Sequence, residues 1–119
     1  MTNKEFNENF RKRIMAFVIS VLKFIETVPN NSATRVMNYQ LTKSSTSVGA
    51  NHRAFCRGRS RNERFSKICI VVEEADETLF WLEVYAECKY GDQIMLAGIL
   101  EENTEILKVT ASIKDSMYP

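Results

Sequence analysis

At 119 residues the chain has room for one domain and one hydrophobic core, spanning residues 1–119. Hydrophobic residues at 45% and charged residues at 26% exclude a disordered chain, and a net charge of +1 excludes any global electrostatic pull toward nucleic acid or membrane. With four glycines and two prolines, turn residues are too scarce for many short strands, so a few long helices are expected.

The start, MTNKEFNENFRKR, has no apolar signal core, and no later run reaches the ~18 apolar residues that a bilayer-spanning helix needs. A soluble, cytoplasmic protein without a membrane partner is expected. The first helix is predicted over residues 4–28. Its seam, Phe10, Ile14, Phe17, Val21, Phe24 and Val28, steps by four and three, and Val18, Leu22 and Ile25 broaden it. Thr2 to Glu5 can form a capping box, and Pro29, which lacks an N–H, should end the helix at Val28.

Asn30, Asn31 and Ser32 are candidate N-caps for a second helix over 32–57. Its seam is weaker: Met37, Leu41, Ser44, Val48, Asn51 and Phe55. The central run from Ser44 to Ala50 has low helix propensity and suits a place where another helix approaches closely. Gly58 ends this helix, and Ser60-Arg61-Asn62-Glu63 is a second capping box that opens a third over 61–89. There the seam reads Phe65, Ile68, Val72, Ala75, Leu79, Leu82 and Ala86. Phe80, Trp81, Val84 and Tyr85 fall outside it and are predicted to form an oligomer interface. Gly91 as C′ residue and Asp92 as N-cap make a tight turn into a fourth helix over 92–117, with Leu96, Ile99, Asn103, Ile106, Thr110, Ile113 and Met117 as its seam. Short links force antiparallel neighbours, so the expected fold is all-α, an antiparallel up-and-down four-helix bundle.

Little here promises chemistry. The sole histidine, His52, lies between Asn51 and Arg53 and reads as a surface or interface residue. Cys56, Cys69 and Cys88 have no CxxC spacing and read as buried free thiols in a reducing cytosol. No Glu-x-x-His pair supports a di-metal site, and the isolated glycines form no phosphate loop. The expectation is a protein that is not an enzyme, with no metal and no cofactor.

The charge pattern says more. From Arg35 to Arg61 every charged residue is basic, and from Ile68 to Cys88 every one is acidic: Glu73, Glu74, Asp76, Glu77, Glu83 and Glu87. Arg53 and Arg57 suit the last turns of a helix, but Arg61 and Arg64 sit in a first turn, where positive charge is mildly unfavourable. Helix electrostatics therefore does not account for the cluster. An anionic partner would, either nucleic-acid phosphate or the acidic helix of a neighbouring copy, the remaining alternative being a plain solvated surface. The predicted nucleic-acid contacts are Arg53, Arg57, Arg59, Arg61, Arg64 and Lys67. Only Phe55 and Phe65 are aromatic nearby, and the core claims both, so contact through phosphates rather than base stacking is expected.

Tyr39 to Asn51, reading YQLTKSSTSVGAN, resembles the QL-x-R-S-x-x-S-[VI]-G-A-N signature of the 23S rRNA intervening-sequence proteins, also called the four-helix bundle protein family. Ser60 to Phe65, then Glu73 to Thr78 and Phe80-Trp81-Leu82, resemble the same family's S-x-x-[ED]-F and E-A-x-E-T-x-[YF]-W-L segments. The resemblance covers about half the chain. It implies an up-and-down bundle assembling into a homo-oligomeric ring, typically a pentamer, without established activity. A related branch, the accessory protein of diversity-generating retroelements, binds a reverse transcriptase and nucleic acid. The functional expectation is a ring-forming, nucleic-acid-associated protein, with RNA ahead of DNA, and the alternative is a protein-interaction scaffold, for example for a reverse transcriptase. Many relatives carry acidic residues after the GAN segment, where this chain has His52, Arg53, Cys56 and Arg57.

Overall fold

A computed structural model describes residues 1–118 and contains four helices, α1 (Asn3–Ile25), α2 (Ser32–Cys56), α3 (Arg61–Cys88) and α4 (Gln93–Met117). Each packs on its neighbours in the cycle α1–α2–α3–α4–α1, as the up-and-down topology requires. The extents are 44 × 25 × 19 Å, and the long one matches the ~42 Å expected of a 28-residue helix.

Side chains define the helix starts. Thr2 Oγ1 accepts from the Glu5 amide at 3.0 Å, which is only half of the expected capping box. Asn31 takes the N-cap of α2 and forms a complete box with Thr34, while Ser60 and Glu63 form the one expected for α3. Asp92 Oδ1 accepts from the amides of Ile94 and Met95. At the other end of α1, the helix stops at Ile25 rather than Val28. The Thr27 hydroxyl donates to the Phe24 carbonyl at 2.7 Å and accepts from the Asp92 amide at 2.9 Å, so the last residues tighten into a turn that ties α1 to the start of α4. Helix α3 closes on Lys89 in the left-handed conformation, not on Gly91 as a C′ residue. Gly91 is needed one step on: its φ is +81°, and a Cβ there would come within 2.9 Å of the Phe24 ring.

The core follows the predicted seams of α1 and α4 closely. Phe10, Ile14, Phe17, Val21 and Phe24 are buried, as are Leu96, Ile99, Asn103, Ile106 and Thr110. Two corrections fall on the middle helices. On α2 the buried position after Val48 is His52, not Asn51, whose amide instead donates to the Ser47 carbonyl and hydroxyl. On α3 the buried set is Ile68, Val71, Ala75, Thr78, Leu82 and Tyr85, so every second seam position lies one residue earlier than predicted. This helix is apolar on several faces, and periodicity alone leaves its rotation open. Polar pairing decides it, because the Thr78 hydroxyl meets that of Ser44 at 2.9 Å and the Tyr85 hydroxyl meets Asn38. The small, polar middle of α2 is thereby accounted for: Ser44 and Ser45 are fully buried, and Ser44 meets Thr78 of α3 directly.

Candidate nucleic-acid interface

The antiparallel arrangement puts the start of α1, the end of α2, the start of α3 and the end of α4 at one end of the bundle. All six predicted contacts are there. Arg53, Arg57, Arg59, Arg61 and Arg64 are exposed and Lys67 is half-buried. The one acid of the stretch is committed to backbone, since Glu63 Oε2 accepts from the amides of Arg59 at 2.8 Å and Ser60 at 3.3 Å. Among the described residues the ion pairs are Lys12–Glu8, Arg13–Glu102 and Lys108–Glu105, and none of the six cations takes part in one.

Two of the six are held in place by neutral partners. The Arg64 guanidinium lies over the Phe55 ring at 5.3 Å from its centre, with its stem folded across Gly58, where a Cβ would collide with it. The Arg61 guanidinium donates to the Met117 carbonyl, and so complements the negative end of the α4 dipole. Arg53, Arg57 and Arg59 are exposed, and their side chains have no ion pair among the described residues.

The fold also brings in groups that the local pattern did not reveal. Lys4 and Arg11 of α1 line a cleft of about 610 Å³ together with Arg53, Arg57 and Cys56, and a second cleft of about 580 Å³ runs from Arg57 to Lys67 on the other side. Arg57 borders both. Tyr118, 68% exposed, stands edge-on to Phe65 and adds an open aromatic face. The bundle topology contained the signal for Lys4 and Arg11, because the start of α1 must lie beside the end of α2.

Beneath this surface His52 is 1% exposed and packed inside the subunit, contrary to the surface or interface position expected from its polar neighbours. Phe10 meets its ring edge-on at 5.2 Å, and Phe55 lies at 6.1 Å. Burial, with Arg11 nearby, pushes its pKa down to about 4, so the imidazole is neutral at physiological pH. Cys56 Sγ lies 3.8 Å from Nε2, while burial pushes the thiol above its ordinary value. A thiol that stays protonated beside an imidazole that stays neutral is not an activated nucleophile. Among the described residues no three His, Cys, Asp or Glu side chains gather to hold a metal ion.

The predicted interface residues of α3 separate. Phe80 is 55% exposed, Trp81 and Val84 are half-buried, and Tyr85 is fully buried. Tyr85 is a core residue, because its ring packs edge-on to Phe24 at 5.3 Å and its hydroxyl donates to Asn38 Oδ1 at 2.5 Å inside the subunit. The Trp81 indole lies 4.9 Å from Phe80, and its N–H is shielded from solvent without an acceptor.

The profile of the 23S rRNA-intervening sequence protein family matches residues 7–112. The chain belongs to that family. A solved structure of a protein of unknown function from the S23 ribosomal protein family of Bacteroides thetaiotaomicron is similar, with 28% identity and a TM-score of 0.81 over 92% of this chain and 97% of that one. No curated protein matches the chain. The family match extends the resemblance of the two middle helices over all four, and the structural similarity agrees with the bundle. Neither the family nor the similar structure has a known function, and no helix of this family member is long and apolar enough to cross a membrane among the described residues.

Proposed function

We propose that this member of the 23S rRNA-intervening sequence family is a non-enzymatic, self-associating bundle that binds nucleic acid, RNA foremost, through backbone phosphates at its basic end. One observation carries the reading: six basic side chains share one end of the molecule with Lys4 and Arg11 and have no carboxylate counter-ion among the described residues. Unpaired like charges at close quarters repel one another, and a polyanion relieves that repulsion while releasing its own condensed counterions. Arginine suits the task because its planar fork pairs with two phosphate oxygens at once.

The test is titration of a fluorescent RNA hairpin across a salt series. Affinity should fall roughly a thousandfold or more between about 50 and 200 mM salt, and Arg57→Ala should lower the slope of log K against log salt by about 1. Absence of binding at low salt rejects the proposal. A slope unchanged in Arg57→Ala moves the contact away from this end.

A further inference from the structure

Helix α3 carries an unusual ridge. Positions 73, 76, 77, 80, 83, 84 and 87 lie within a turn of one another at steps of one and three and share its outer face. Five of the seven are exposed carboxylates, and at their centre stands Phe80, 55% exposed. No base punctuates the ridge. Glu73–Glu77 and Glu83–Glu87 are like-charge pairs at i,i+4, which cost a few tenths of a kcal/mol each in an isolated helix. Glu77 and Glu73 also help burial to raise the carboxyl pKa of Glu74 beside them.

The opposite relief lies between α1 and α2. A groove of about 290 Å³ has Met15 and Val18 on one wall and Thr46, Gly49 and Ala50 on the other. Arg11 and Arg53 border it, and neither is ion-paired among the described residues. The glycine is not demanded by the subunit itself, since a Cβ at Gly49 would meet Val18 at an ordinary 3.5 Å. A mid-helix glycine costs about 0.5–1 kcal/mol relative to alanine, so the chain leaves this wall low without an internal need.

We infer that Phe80 of one copy seats in the α1–α2 groove of the next, with the flanking carboxylates of α3 on Arg11 and Arg53. The spacing fits. Arg53 is three residues beyond Ala50 and Arg11 four before Met15, so in the antiparallel pair both cations lie at one end of the apolar hollow, one helical turn from it. Asp76 and Glu77 precede Phe80 by one turn and Glu83 follows it by one turn, so in either orientation carboxylates on one side of the ring face the end that holds Arg11 and Arg53. The partner is a second copy because this chain itself offers both halves: an apolar knob ringed by acids and an apolar hollow with bases at one end. The knob and the hollow are different surfaces, so the contact is head-to-tail and each copy retains one free half for a further neighbour. This contact takes Arg11 and Arg53 from the basic end, while Arg57, Arg59, Arg61, Arg64 and Lys67 stay outside the groove and remain available to phosphate. The inference rests on the self-association stated above and names its two surfaces.

Two variants test it. Phe80→Ala removes the knob, and Ala50→Trp fills the hollow; both sites are exposed, so the fold is expected to survive, which a thermal melt checks. Thr46→Trp, on the same exposed stripe, replaces Ala50→Trp if that variant does not fold. By light scattering the wild type should be a multiple of 13.7 kDa and each variant alone should fall to 13.7 kDa. An equimolar mixture of the two should give twice that mass and no more, because one intact knob then meets one intact hollow. A wild type that runs as a single chain overturns self-association altogether. Variants as oligomeric as the wild type, or a mixture that stays at 13.7 kDa, overturn this pairing of surfaces and leave self-association standing.

Discussion

Two polar rings are buried at opposite ends of the bundle, and each meets a phenylalanine of α1 in the same way. His52 stands edge-on to Phe10 at 5.2 Å and 85°, and Tyr85 edge-on to Phe24 at 5.3 Å and 82°. The apolar packing is equivalent, but the polar handles are not. The Tyr85 hydroxyl has a strong acceptor in Asn38 at 2.5 Å, and burial raises its pKa, so it stays protonated throughout the physiological range. The His52 nitrogens have only Cys56 Sγ, at 3.8 and 4.0 Å, and lie under a cationic surface. A buried ring is cheap when its polar atom is paired and costly when it is not. The tyrosine end is thus insensitive to pH and the histidine end is not.

Acid breaks the comparison most strongly. Unfolded His52 titrates near its ordinary 6.5 and folded His52 near about 4. Between those values the unfolded chain binds a proton that the folded chain refuses, so stability falls as pH drops through this window and levels off below it. The loss is on the order of 3 kcal/mol. His52→Leu should lack it. As pH falls through the window the urea midpoint of the wild type should drop relative to that of His52→Leu, with the carboxylate contributions common to both cancelling. Parallel curves would show that the imidazole is charged, or open to water, in the folded state.

Neither ring was legible as core from the sequence, and the reasons differ. After Val48 a helical seam can continue at Asn51 or at His52, and both are polar. The choice depends on Phe10, forty-two residues away, offering a ring to pack on. Tyr85 was lost because α3 is apolar on several faces, so its rotation depends on partners in α2 that no local period contains. Helices α1 and α4 present one apolar face and one polar face, and their buried residues could be read position by position. The same division holds for the basic end. Its six cations crowd one turn of the chain and are visible as a run, whereas Lys4, Arg11 and Tyr118 arrive from both termini and become part of it only once the helices stand side by side.

Removing the partner at the tyrosine end comes next in size. Asn38→Ala leaves the Tyr85 hydroxyl without its acceptor at a fully buried ring, and an unpaired buried group costs about 1–3 kcal/mol. Asn38 itself is half-buried, so water entering the space it vacates holds the expected loss to the lower part of that range. Thermal unfolding should register it as a drop of several degrees. If Asn38→Ala melts with the wild type, Tyr85 is held by packing alone and the contrast between the two ends disappears.

The matching deletion at the histidine end should do least. Cys56→Ala removes the hydrogen-bond partner that the imidazole has among the described residues, yet sulfur at 3.8 Å is a weak partner and the thiol is already only half-buried. The expected cost is under about 1 kcal/mol, with the acid-sensitive window of His52 left in place because burial, not the thiol, is the main cause of the low pKa. A loss in Cys56→Ala as large as that in Asn38→Ala would mean that the sulfur pairs with the ring as effectively as the amide pairs with the phenol. The acid sensitivity would then have to come from breaking that pair rather than from desolvating a lone imidazole, and the window should shift in Cys56→Ala. Measuring both variants against pH separates these causes, because only the lone imidazole leaves the window where the wild type has it.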